Sequence, residues 1–109
     1  MTKERFVKCD AMRHTLGMII SFRHKGLRAF FETGTTKGIR TDHAKRLGRI
    51  LALLDRAEDP AAVNLPGWRL HALKGEQAGF WSITVSGNWR VIFRFTGPDV
   101  ELVDYLDYH

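Results

Sequence analysis

The hydrophobic period of this chain changes halfway along. Leu47, Ile50, Leu51 and Leu54 recur at i, i+3, i+4 and i+7, which places them on one stripe of an α-helix. Beyond the breakers Asp59-Pro60 and Asn64-Leu65-Pro66-Gly67 the period is two. Trp81, Ile83 and Val85 alternate within Phe80 to Val85, and Trp89, Val91, Phe93 and Phe95 within Trp89 to Phe95, with Ser86-Gly87-Asn88 as the hairpin connection. Trp68 to Leu73 reads as a further strand, and Gly97-Pro98-Asp99 turns the chain into a last one, Val100 to Leu106. In front, Met18 to Phe22 is an apolar run of strand length, and Leu27, Phe30 and Phe31 share a helical face that Gly34 stops. The predicted order is β-α-α-β-β-β-β, an α+β domain with two N-terminal helices packed on one face of a small twisted, mainly antiparallel sheet.

The longer helix is expected over Thr41 to Ala57, with Thr41 as N-cap, Asp42 at the positive end of the dipole, and Asp42 within reach of Arg46 at i+4. Its other face carries Lys45, Arg46, Arg49 and Arg56. Those are four of nine Lys or Arg residues between Arg23 and Arg56, whereas the last eleven residues hold four acids and no Lys or Arg. A chain of net charge +5 with a basic front and an acidic tail suits a polyanion such as nucleic acid, though a solvated helix face explains the same residues.

At 109 residues and 44% hydrophobic content, the chain holds one core and one domain. No apolar run approaches the roughly 20 residues of a membrane span, and no signal peptide is visible, so a cytoplasmic protein is expected. Cys9 is the only cysteine, which leaves neither an intrachain disulfide nor a cysteine cluster for zinc. Phosphate-loop, dinucleotide and zinc-protease motifs are missing, so nucleotide-hydrolysing and dinucleotide chemistry lack their signatures. Asp104, Asp107 and His109 fail as a metal set because Asp104 and Asp107 face opposite sides of a strand, and no metal or cofactor is expected.

If Trp89, Val91, Phe93 and Phe95 face the helices, Arg90 and Arg94 point to the other face of the sheet. That face would be an open, basic cleft for an anionic ligand, flanked by the His71 to Gly75 loop and the C-terminal residues. Phosphodiester transfer needs a base for a ribose 2′-OH, charge to stabilise the phosphorane and an acid for the departing 5′-oxygen. Lys74 and Arg90 could supply the charge, Arg90 through a planar fork that fits two phosphate oxygens. Tyr108, Asp107, His71 and His109 could move protons. Each also has an ordinary reading: an ion pair for the arginine, a solvated loop lysine, a frayed terminus.

Four segments in order, "SFRHKGLRAFFETG", "RLHALKG", "WSITVSGNWRVIF" and the terminal "DYH", make the chain from Met18 onward resemble the HigB-type toxins of bacterial toxin-antitoxin systems, the plasmid-maintenance killer proteins of the RelE superfamily. The resemblance implies a RelE-like fold and a metal-independent endoribonuclease that enters the ribosomal decoding site, cuts mRNA there and so inhibits translation. The cut would use the RNA's own 2′-OH and leave a 2′,3′-cyclic phosphate and a 5′-OH. Carried over by position, the family's site residues fall on His71, Lys74, Arg90, Asp107 and Tyr108. Lys45, Arg46, Arg49, Arg56 and Arg94 would hold RNA phosphate. Implied partners are the ribosome, mRNA and a HigA-type helix-turn-helix antitoxin, with operator DNA reached only through the antitoxin and no membrane. The family starts near Met18, so residues 1–17 are expected to be a leader or upstream extension to a domain of residues 18–109. Where the family loop reads His-Pro-Leu-Lys-Gly-Asp, this chain has Ala72 and Glu76, and Leu106 replaces an acid before the terminal motif. The alternatives are a ParE-like toxin that inhibits gyrase, on the same fold, or a non-catalytic RNA-binding module.

Overall fold

The apolar stripe of the longer helix folds inward as its spacing demands. In a computed structural model, which describes residues 18–57 and 59–108, Leu47, Ile50, Leu51 and Leu54 are at most 1% exposed. Residues 1–17, with Cys9, and His109 lie outside the described residues. The first helix, α1 (Lys25–Thr33), starts where His24 Nδ1 accepts the Leu27 N–H at 2.9 Å. It ends at Gly34, whose φ of 85° is the left-handed cap that lets its N–H bond back to the Phe30 carbonyl. Ahead of the second helix, Gly38 meets α1 backbone to backbone: a Cβ on Gly26 would lie 2.5 Å from the Gly38 carbonyl oxygen.

The second helix is shorter than expected. Thr41–His43 forms a 3-10 turn and α2 runs Ala44–Leu54, with no side-chain cap from Thr41. The tight turn accompanies His43, which is drawn into the core beneath it, and Asp42 pairs with Arg40 (3.1 and 3.0 Å) rather than with Arg46. At the other end Asp55 leaves the helix, and its carboxylate accepts the Ile19 N–H at 3.0 Å.

Among the described residues the sheet is a four-stranded antiparallel meander in the order β1 (His71–Ala72), β2 (Phe80–Ser86), β3 (Trp89–Thr96) and β4 (Asp99–Asp107). The strand expected over Trp68 to Leu73 shrinks to two residues because Arg69 adopts φ 51° and breaks the extended run. The strand expected over Met18 to Phe22 is reduced to two parallel bridges on β4, Ile19 with Val100 and Phe22 with Val103. Between them Leu102 sits at φ 55°, which interrupts the ladder, and the Ser21 hydroxyl accepts the Leu102 N–H at 2.8 Å in its place.

Strand pleating then assigns each residue a face. Ile83, Val85, Val91, Phe93, Val100, Val103 and Tyr105 pack with α1 and α2 into one core, partly covered by Trp89 and Phe95, as the alternation predicts. The other face carries the rows Thr84, Arg90, Leu106, then His71, Ser82, Ile92, Asp104, then Phe80, Arg94, Glu101. No helix among the described residues is long and apolar enough to cross a membrane.

Candidate active site on the open face of the sheet

The open face has a small apolar floor of its own. Phe80 and Ile92 are buried but stand outside the helix-side core, and Ser82 between them is 1% exposed with no hydrogen-bond partner for its hydroxyl among the described residues. His71 is directly across from Ser82 on the neighbouring strand. Its Nδ1–H donates to the Arg69 carbonyl at 3.1 Å, the carbonyl that the left-handed turn at Arg69 presents. A neutral ring so anchored leaves Nε2 as the proton acceptor at an exposed position.

Lys74 follows β1 at the entrance to a 3-10 turn, Gly75–Gln77, and Gly75 takes φ 70°, which a side chain would resist. The turn is closed by Leu73 N–H to the Phe80 carbonyl (2.9 Å) and Ala78 N–H to the Gly75 carbonyl (3.1 Å). Lys74 is exposed and has no carboxylate partner among the described residues, so its ammonium is available to an anion.

Arg90 sits across from Thr84 on one side and Leu106 on the other. Its Nη1 donates to the carbonyls of Gly87 (2.7 Å) and Trp89 (3.1 Å), at the hairpin turn. No acid neutralises it among the described residues, and only one of its terminal nitrogens is engaged, so the fork is oriented yet keeps donors for a phosphate. Tyr108 reaches the same face from the far edge. Its N–H extends the ladder to the Asn88 carbonyl at 2.8 Å, and its hydroxyl donates to Gln77 Oε1 at 2.9 Å, joining the end of β4 to the Lys74 turn. His71 and Arg90 thus share this face, on strands two spacings or about 10 Å apart, and the Tyr108–Gln77 bond brings the end of β4 to the turn that Lys74 opens.

Asp107 does not join them. It pairs with Trp89 and therefore points to the helix side, where its charge acts on Arg40. Of the five expected phosphate-holding cations, Lys45 and Arg49 are exposed on α2, and Arg56 is exposed in the turn just past its end. Arg46 is half-buried and spends its guanidinium on the carbonyls of Gly67 (2.9 Å) and Thr84 (3.3 Å), a structural clamp of α2 on β2. Arg94 is engaged by Glu101, with Nε donating at 2.8 Å and Nη2 reaching the same oxygen. Sequence reasoning missed Gln77, the partner of Tyr108, and Arg23, whose guanidinium lies over the Phe80 ring at 5.2 Å. Neither has a residue-type signal: Gln77 is brought in by the turn after Lys74, and Arg23 by the segment that runs along the edge of β4.

On the helix side, His43 Nδ1 and the Tyr105 hydroxyl are 2.7 Å apart, both buried, and the Tyr105 oxygen also receives the Arg40 N–H at 3.4 Å. Burial lowers the His43 pKa below its ordinary 6.5 and raises that of Tyr105, so the histidine is neutral and accepts the tyrosine proton. The unfolded chain takes up the His43 proton at a higher pH than the fold does. The stability is therefore complete above pH 6.5 and is lost as pH falls below that value toward the lowered pKa. Thermal melts of wild type and His43→Gln between pH 7.5 and 5 should show a steeper decline in Tm for wild type, and parallel declines would refute the coupling.

Known proteins resemble this chain in sequence and in fold. The family described as the RelE-like toxin HigB of type II toxin-antitoxin systems matches residues 20–109. Endoribonuclease HigB of Proteus vulgaris is 42% identical over 92 residues, 84% of this chain and all of that protein. Toxin HigB-1 of Vibrio cholerae is 33% identical over 94 residues, 84% of this chain and 98% of its own. Two solved structures share the fold at 16% identity. A YafQ mutant from Escherichia coli superposes with a TM-score of 0.51 over 84% of this chain and 92% of that one, and a YoeB/ParE toxin from Agrobacterium tumefaciens with 0.52 over 84% and 98%.

Proposed function

Because the chain belongs to the HigB toxins of type II toxin-antitoxin systems, with their RelE-like fold, we propose that it is a metal-independent endoribonuclease that cuts mRNA in the decoding site of the ribosome. The observation that carries this reading is Arg90, oriented by two backbone carbonyls, free of any acid among the described residues, and on one face with His71 and Tyr108 beside the turn that Lys74 opens.

In the proposed reaction the 2′-oxygen of the RNA attacks the adjacent phosphorus and its proton passes to His71 Nε2. The P–O5′ bond then breaks, the 5′-oxygen takes a proton from the Tyr108 hydroxyl or from water, and the products are a 2′,3′-cyclic phosphate and a 5′-OH. Arg90 and Lys74 hold the charge that builds on the phosphorane oxygens, usually the largest contribution to such a step. Tyr108 leaves Gln77 to orient or stack on a base, or to assist proton transfer. Asp107, on the helix side, has a positioning role at the end of β4. The ribosome supplies placement of the strand, and that placement contributes much of the rate.

The family implies an antitoxin partner, which we take to be of the HigA helix-turn-helix type, with operator DNA contacted through it. Lys45 and Arg49 on α2, with Arg56 just past its end, give this side of the protein a sequence-independent attraction to ribosomal RNA phosphate in the cytoplasm. Primer extension on a defined mRNA in a reconstituted translation mixture, with and without ribosomes, tests the reading. Cuts that require ribosomes and leave 5′-OH ends are expected, with ribosome binding that weakens as salt rises and does so less steeply when those three cations are neutralised. Intact mRNA from folded protein rejects the nuclease.

A further inference from the structure

At the end of the open face away from Arg90, two guanidinium groups lie over one aromatic ring. Arg94 Cζ is 5.3 Å from the Phe80 ring centroid and Arg23 Cζ is 5.2 Å from it, and Phe80 is 8% exposed. The two arginines differ in what else they touch. Arg94 is tied to Glu101, its neighbour on β4, so its charge is largely spent. Arg23 is exposed and has no acidic partner among the described residues. Its backbone is fixed where the chain leaves the sheet edge, the N–H donating to the Val103 carbonyl at 2.8 Å, one residue before the cap of α1. A planar cation stacked on a ring has already lost much of its side-chain freedom, while its N–H groups keep their edge directions open.

We propose that Arg23, seated on Phe80 beside Arg94, binds a backbone phosphate of the RNA strand that flanks the cut, making a second substrate subsite on the open face. The inference rests on the nuclease reading above. Register carries it: Phe80, Arg94 and Glu101 form one row of the face that holds Arg90, and Arg90 and Arg94 are four residues apart on β3, about 13 Å. A strand bound at Arg90 and running along β3 reaches the row of Phe80 and Arg94, where Arg23, seated on the buried ring, supplies an unneutralised charge. An arginine in this place positions the strand without reading its sequence.

The test is binding of a short 2′-O-methylated single-stranded oligoribonucleotide to the full chain by fluorescence anisotropy across 50 to 200 mM salt. That probe lacks the attacking hydroxyl and is bound without being cut. One lost phosphate contact should lower the slope of log affinity against log salt by about 0.7, so Arg23→Gln should show that change and bind about three- to tenfold more weakly at low salt. Arg23→Lys, which keeps the charge, should restore most of the slope. Arg28→Gln removes the same charge from an exposed position on α1 paired with Glu32, and should leave the slope unchanged. Equal affinity and slope for Arg23→Gln and wild type overturn the subsite, as does an identical loss in Arg28→Gln. Normal RNA binding by Arg23→Gln with weakened antitoxin binding also overturns it and reassigns Arg23 to a protein partner. Binding that responds to Arg23 in a chain that never cuts mRNA upholds the subsite and rejects the nuclease; cutting that is indifferent to Arg23 does the reverse.

Discussion

Arg90→Ala should lower ribosome-dependent mRNA cleavage by about 100- to 1,000-fold, equivalent to about 2.7–4 kcal/mol of transition-state stabilisation, while the folded state keeps its stability to within about 0.5 kcal/mol. The separation of the two effects follows from what the side chain touches. Its bonds are to the Gly87 and Trp89 carbonyls at a hairpin turn where Gly87 is exposed, so water replaces them when the guanidinium is removed. A phosphorane in the site has no such substitute, because the nearest arginine along β3, Arg94, is occupied by Glu101 and Arg23 lies over Phe80 at the other end of the face. Arg90→Lys keeps a positive charge but loses the planar pair of donors and should recover only part of the rate. The measurement is single-turnover primer extension on programmed ribosomes, with a urea melt of each variant. A rate within threefold of wild type for Arg90→Ala would remove Arg90 from the chemistry.

Much of this arrangement could be read from the chain because alternation reports directly on sheet faces. Trp89, Val91, Phe93 and Phe95 do line the helix side, and Arg90 and Arg94 the other, as period two requires. The same periodicity separates Asp104 from Asp107, yet which of the two shares a face with Arg90 depends on pairing register. Register puts Leu106 opposite Arg90 and Trp89 opposite Asp107, and turns Asp107 to the helices. Register was hidden because it is reset at a bulge between Ile92 and Arg94, facing Leu102 at a positive φ that leucine does not advertise. Arg46 shows the other limit. On a helical wheel it is one more basic residue, and only the approach of Thr84 and Gly67 turns it into a clamp on β2. His43 likewise reads as part of a polar helix start, and is buried because Tyr105 offers its hydroxyl from four strands away in sequence.

The largest loss of stability should come from Phe93→Ala, about 3–5 kcal/mol, against a total of about 5–15 kcal/mol for a domain of this kind. Phe93 is fully buried on the helix side of β3, opposite Trp81, with its ring edge-on to Phe95 at 5.8 Å and 78°. Truncation removes the transfer free energy of the ring and leaves a cavity between sheet and helices, which the α2 clamp at Arg46 prevents from collapsing fully. Phe93→Leu, which refills most of that volume, should cost about 1.5 kcal/mol or less. Urea denaturation reads the difference as a lower midpoint at unchanged slope, and a loss below about 1 kcal/mol for the alanine variant would mean that β3 is not the keel of the fold. Below its midpoint the variant should still cut, because Arg90 and Arg94 project from the opposite face of the same strand and their backbone bonds to β2 and β4 do not involve the ring. Phe93→Ala and Arg90→Ala therefore make opposed changes three residues apart, one to the amount of folded protein and the other to what each folded molecule does, and a period-two strand is what allows the two to be set independently.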